Sequence, residues 1–233
     1  MINSNYTSQT EKNIISVKNF FKSEFADKIE SDLKNINNTW WYVSVYPTDH
    51  TKSKQNTRYY EGLYSDKKFE EQEVFNEHWF NSGNFGYRFK RTLGNHYQTC
   101  YCVMCKLKEY FDSSEVKNEL SKIVGEKVTN LNETFCSKYE TGDYLSIHHD
   151  KGNGDYAFVF QLTKDWNPAY GGLLNFYDPE TKEVYKTANP IFNSLTIFKI
   201  KNVPNTDHFV SMNVSSHTRY AFTGWFSVSG TYP

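Results

Sequence analysis

The sequence predicts an α+β, mainly β chain: a β-barrel or jelly roll supported by N-terminal helices. Two observations carry this. After residue 127 the chain breaks into eight short runs rich in β-branched and aromatic residues, separated by turn residues at the spacing of a sandwich or barrel. Aromatic residues make up 18% of the 233 residues, with 18 Tyr, 18 Phe and 5 Trp, which supplies apolar area for a β-rich core while the phenols keep a polar end. The length suits one domain, expected over residues 14–230 after a polar, flexible start at 1–13.

The elements follow in order. Phe21, Phe25, Ile29, Leu33 and Ile36 recur at helical spacing, with Ser23 as the expected cap. Trp40–Tyr46 reads as a strand ended by Pro47, and the polar stretch Thr48–Asp66 as a long mobile loop. A helical stretch over Lys67–Phe80 precedes a strand in which Phe85, Tyr87 and Phe89 alternate. A second helix has Asp112 and Glu115 in a capping-box relation, a stripe of Val116, Leu120 and Ile123, and Gly125 as its stop. Helices are thus expected to dominate the first half. The eight β runs are 133–139, 144–148, 156–162, 173–177, 184–186, 195–199, 208–214 and 219–228. No repeat, low-complexity tract or linker interrupts them.

Charge narrows the classes of partner. Basic and acidic residues number 26 and 27 and are scattered, so a duplex-binding footprint is missing and no nucleic-acid partner is expected. No apolar run approaches the roughly 18 residues of a membrane span, and the first residues lack a signal-peptide pattern. A soluble, cytoplasmic protein without a membrane partner is the expectation; the oligomeric state stays open. Cys100, Cys102 and Cys105 crowd together after His96, a nominal zinc set whose tight spacing suits small core thiols better. The sequons at Asn5, Asn37, Asn132 and Asn213 are expected by chance in so Asn-rich a chain.

Four residues carry the chemistry. His148 and Asp150, two apart, would face one way on a strand while His149 points elsewhere. With His208 from a later strand they offer two imidazoles and one carboxylate, the facial ligand set of non-haem Fe(II) oxygenases. Arg219, eleven positions after His208, has the fork to take a carboxylate bidentately.

The runs Tyr139–Asp150, Leu162–Trp166, Gly171–Leu174, His208–Ser211, Arg219 and Gly224–Phe226 resemble 2-oxoglutarate-dependent Fe(II) dioxygenases of the prolyl-hydroxylase type. The flavour is that of the ribosomal-protein prolyl hydroxylases and their bacterial and viral relatives. The resemblance covers roughly residues 14 to 230 and implies a cupin-like double-stranded β-helix flanked by helices. It makes His148, Asp150 and His208 iron ligands and Arg219 the partner of the distal 2-oxoglutarate carboxylate, with O2 as the second co-substrate and ascorbate as reductant. Tyr139 falls where relatives place a tyrosine that hydrogen-bonds the co-substrate. The intact Asp150 argues for hydroxylation over halogenation, with succinate and CO2 released.

Two departures stand out. Gln161 occupies a strand where some relatives have a second tyrosine, though an amide can still donate a hydrogen bond. Ala221 replaces the serine that many relatives carry two positions after the arginine, leaving Thr223 or Thr196 as candidate hydroxyls. Gly171-Gly172 reads as a tight strand entry, and Trp225 as core on a strand near the substrate cleft. A proline-containing protein or peptide is the leading substrate, with Thr48–Asp66 as a lid; a free amino acid or similar metabolite and a non-catalytic binding module are the rivals.

Overall fold

Period-two alternation along the second half of the chain builds a continuous antiparallel sheet. The computed structural model describes residues 1–36, 42–45, 60–63, 80–82, 86–92 and 102–232. Its strands are β1 (Thr7–Glu11), β2 (Ile14–Lys18), β3 (Tyr42–Val45), β4 (Tyr60–Leu63), β5 (Tyr87–Arg91), β6 (Glu126–Tyr139), β7 (Tyr144–His148), β8 (Tyr156–Gln161), β9 (Leu174–Asp178), β10 (Glu183–Ala188), β11 (Ser194–Lys199), β12 (Asp207–Val210) and β13 (Arg219–Thr231). The main path runs β1-β2-β11-β8-β13-β6-β5-β7-β12-β9-β10, and β3 joins β4 to β5 beside it. Each of the eight expected runs holds a strand, although the run 208–214 is strand only as far as Val210.

The sheet curls on itself as a jelly roll. Phe176 on β9 meets Phe198 on β11 at 5.0 Å between ring centroids, although several strands separate them along the hydrogen-bonding path. Alternation sorts β8 accordingly: Ala157 and Val159 face the inner cluster, while Tyr156, Phe158 and Phe160 face an outer one. Both faces of β8 are therefore covered. On the outer face lie α1 (Ser23–Lys34), α2 (Val103–Phe111) and α3 (Ser114–Val124), bringing Ala26, Ile29, Leu33, Met104, Leu107, Val116 and Leu120 to the sheet. Phe111 stacks on Phe158 at 5.2 Å, and a buried phenylalanine contributes roughly 1.5–3 kcal/mol.

Several expectations are corrected. Thr7–Glu11, expected to be loose, pairs with β2, which itself pairs with β11. Every residue of β1 is exposed, so no apolar alternation marks it. Ser23 is not the cap of α1: Lys22 holds that position without a side-chain bond, and its N–H donates to the Met1 carbonyl instead. Asp112 and Glu115 form no capping box. Ser113 caps α3 by accepting from the Val116 N–H, while Asp112 ends α2 and pairs with Lys117. Cys102 opens α2, a helix not foreseen.

Three helices and five short strands occupy the described part of the first half; the helices hold the larger share of its residues, but strands are more numerous there than expected. Residues 60–63 of the expected loop are a strand; the rest of that loop, the ends of the Trp40–Tyr46 strand, most of the Lys67–Phe80 helix, Phe85, His96 and Cys100 lie outside the described residues. No helix among the described residues is long and apolar enough to cross a membrane. Asn213 is fully buried, which removes the sense of its sequon.

Candidate active site

The inner face of the curl holds the site. Register sets His208 on β12 directly opposite His148, the last residue of β7. Asp150 lies beyond the end of β7, so strand alternation does not place it as expected. The turn after the strand does so instead, bringing its two carboxylate oxygens to 3.5 Å from His148 Nε2 and 3.5 Å from His208 Nε2. One donor atom from each residue lies within 4.8 Å of the others, and no further group of three or more such side chains occurs among the described residues. His149 is exposed, as expected.

Backbone carbonyls orient both imidazoles. His148 Nδ1 stands 2.9 Å from the Ser146 carbonyl and His208 Nδ1 2.9 Å from the Thr206 carbonyl. A carbonyl only accepts, so each Nδ1 carries its hydrogen and each Nε2 turns its lone pair toward Asp150, the arrangement of a supported metal ligand. Burial and the neighbouring His148 push His208 down to about 4, which favours the neutral, ligating form. Burial opposes charge on His148, but Asp150 outweighs it and raises that imidazole. Burial likewise opposes the Asp150 carboxylate, and the two histidines outweigh it, holding the acid well below its ordinary range. Two neutralisable imidazoles and one firmly ionised acid fit a divalent iron.

These three residues line a cavity of ≈ 310 Å³ together with Tyr139, Arg219, Thr223 and Trp225. Arg219 opens β13 opposite Tyr139 and is 2% exposed. Its Nη2 donates to Gln161 Oε1 at 3.1 Å, whereas Nε, Nη1 and Gln161 Nε2 are buried without hydrogen-bond partners among the described residues. Burial lowers the guanidinium's affinity for its proton and raises the Tyr139 phenol. The guanidinium also lies over the Tyr139 ring at 5.1 Å, and a buried cation with neutral neighbours alone carries a large desolvation cost unless an anion joins it. The unpartnered N–H groups therefore suit a carboxylate.

The strands and turns around the site are locally braced. Between Tyr139 and β7, the Asp143 carboxylate accepts from Lys90 Nζ at 2.8 and 3.0 Å and from the Glu140 N–H at 2.7 Å. Gly171 has φ +75°, and a Cβ there would fall 1.9 Å from the Met212 carbonyl, so the glycine pair serves the tight entry to β9 as expected.

Gln161 does not line the cavity but sits behind Arg219, and Thr196, though buried, is outside the lining as well. Trp225 is half-buried, lines the cavity and packs on Phe135 at 6.1 Å. Its indole N–H favours the charged Asp150 without forming a well-aligned hydrogen bond. Sequence reasoning missed Ser137 and Asn153 in the lining. Ser137 precedes Tyr139 by two, and period-two alternation was the available signal.

Comparisons with known proteins agree with this geometry. Residues 134–227 match the family model of the 2OG-Fe(II) oxygenase superfamily. Over 117 residues the chain is 28% identical to prolyl 3-hydroxylase sudestada1 of Drosophila melanogaster, which is 43% of this chain and 22% of the length of that relative. Two solved structures share the fold. An oxidoreductase of the 2OG-Fe(II) oxygenase family from Burkholderia pseudomallei superposes with a TM-score of 0.60 at 8% identity, covering 95% of this chain and 88% of the other. A prolyl hydroxylase from Trichoplax adhaerens, solved with a hypoxia-inducible-factor peptide fragment, gives 0.56 at 18% identity, covering 92% and 83%. In sequence across the segment that carries His148, Asp150, His208 and Arg219, and in fold over nearly its whole length, the chain resembles the 2OG-Fe(II) oxygenases of the prolyl-hydroxylase type.

Proposed function

We propose that this protein is an Fe(II)- and 2-oxoglutarate-dependent dioxygenase that hydroxylates a prolyl residue of a protein or peptide, releasing succinate and CO2. The observation that carries the reading is one cavity lined both by a His–Asp–His donor set and by a buried arginine whose Nε and Nη1 have no hydrogen-bond partner among the described residues. His148, Asp150 and His208 would hold Fe(II), which when bound supplies the capacity to activate O2. Arg219 would pair with the distal carboxylate of 2-oxoglutarate, and Gln161 holds that guanidinium from behind. Tyr139, stacked on Phe89 at 5.1 Å, presents its phenol on the same wall as Arg219 and can hydrogen-bond the co-substrate. Thr223 lies further along that wall, nearer Trp225. The apolar remainder of the lining, including Leu174, Phe198 and Val210, keeps bulk water from the reacting centre. Ascorbate would serve as reductant.

A polypeptide substrate is favoured over a free amino acid by the surroundings of the cavity. Asn153 belongs both to its lining and to a second, polar depression of ≈ 460 Å³ edged by Asn132, Lys151, Lys201 and Asn202. A closed metabolite pocket would need no such continuation, whereas an extended chain has backbone groups to satisfy on both sides of the residue it inserts. The name of the Drosophila relative supports proline as the target.

The test is direct. With Fe(II), ascorbate and 2-oxoglutarate the protein should form succinate, faster with proline-containing peptides, and His148→Ala should abolish both signals. Failure to bind iron or 2-oxoglutarate overturns the enzyme reading. Succinate without hydroxylated peptide shifts the substrate to a small molecule.

A further inference from the structure

We infer that Ser137 is a co-substrate-binding residue, its hydroxyl donating to the same carboxylate as Arg219 and standing in for the serine this chain lacks at position 221. The inference rests on reading the cavity as a 2-oxoglutarate site.

Strand register carries the argument. On the β6–β13 pair Tyr139 opposes Arg219 and Ser137 opposes Ala221. Directly opposed residues share a sheet face with Cβ atoms about 5 Å apart, and diagonal neighbours stand about 7–8 Å apart, within reach of a long side chain. A hydroxyl at 137 therefore serves the same patch of wall as one at 221, with Arg219 as its diagonal neighbour. The methyl of Ala221 leaves that patch open. Ser137 is 3% exposed and lines the cavity, while Ala221 is buried outside the lining.

Hydrogen-bond capacity points the same way. A carboxylate has about four acceptor positions, and an arginine edge fills two of them. In a buried pocket the rest need other donors. Ser137 Oγ has one hydrogen bond among the described residues, a long one of 3.4 Å to the Ala221 carbonyl. A hydroxyl rotates at little cost, so that bond yields to a charge-assisted one. The other candidate hydroxyls are worse placed. Thr223 is four residues from Arg219 on the same strand, roughly 13 Å away at strand rise. Thr196 does not line the cavity.

The experiment uses the whole chain loaded with Mn(II) in place of iron, with binding followed by calorimetry. Ser137→Ala is expected to weaken 2-oxoglutarate binding about tenfold, the loss typical of one hydrogen bond to a charged group. Binding of pyruvate, which keeps the chelating end and lacks the distal carboxylate, should stay within about twofold. Ala221→Ser added to Ser137→Ala should recover most of the lost affinity by returning the hydroxyl from the opposite strand. Equal weakening of both ligands would mark a merely structural serine and overturn the proposal, as would no recovery in the double variant with Mn(II) binding intact. If the parent binds 2-oxoglutarate and Ser137→Ala is unchanged, this inference alone falls. If the parent binds none, the co-substrate reading falls with it.

Discussion

Arg219 is a full charge for which the described residues supply one hydrogen-bond acceptor, the neutral Gln161 Oε1, and the face of the Tyr139 ring at 5.1 Å. Such a residue destabilises the ligand-free fold and repays this only when an anion arrives. Arg219→Ala is therefore expected to raise the 2-oxoglutarate requirement at least tenfold, since a buried charge-assisted pair is worth more than about 1.4 kcal/mol. Titrating 2-oxoglutarate against succinate formation checks this, and an unchanged requirement would move the carboxylate partner elsewhere. Of the residues singled out in the sequence, His148, Asp150, His208, Arg219, Tyr139 and Thr223 converge on the cavity, and Gln161 stands one layer behind. Gln161 was visible as a residue type; its position behind the guanidinium depends on the β8–β13 register, which sets it opposite Ala221.

At the scale of elements, turns and strand ends hold the site in place. Gly171→Ala meets both a positive φ and the Met212 carbonyl, so it should cost at least about 3 kcal/mol and loosen the entry to β9, measured by urea unfolding. A loss below about 1 kcal/mol would mean that the backbone there relaxes freely. At the start of β6, burial works against the Glu126 carboxylate, but Lys199 on β11 at 2.7 Å and Tyr156 on β8 outweigh it and lower its pKa. A depressed carboxyl stabilises the fold fully above its unfolded value of about 4.3 and loses that contribution as pH falls through the folded value. Glu126→Gln should cost under about 1 kcal/mol at neutral pH, the pair being partly exposed, and should flatten the acid limb of the melting-temperature profile. An unchanged acid limb would assign that slope to other carboxylates.

At the scale of the whole molecule, β8 and β13 serve two cores at once. Phe111 on α2 packs on Phe158, Phe160 and Phe222 across the outer face, while Val159 and Arg219 look into the cavity from the inner one. Phe111→Ala should cost about 3–5 kcal/mol, read from chemical denaturation. In the fraction that stays folded, 2-oxoglutarate affinity should change less than about twofold, because the strands keep their register. A large loss of affinity at unchanged stability would mean that the helical layer reaches the site directly.

The sequence by itself determined the β character of the runs between residues 133 and 228, the stripes of α1 and α3, and the identity of the donor set and the arginine. These are local properties: alternation, helical spacing and the chemistry of particular side chains can each be read within a few residues. Tertiary structure alone decided that β1, exposed on every residue, is a strand, that Asp150 reaches both histidines from a turn past its strand, and that Ser137 faces the cavity opposite Ala221. Each depends on which distant strands pair and in what register. A shift of one residue in that pairing would move a side chain to the other face, so such placements arise only when the sheet closes.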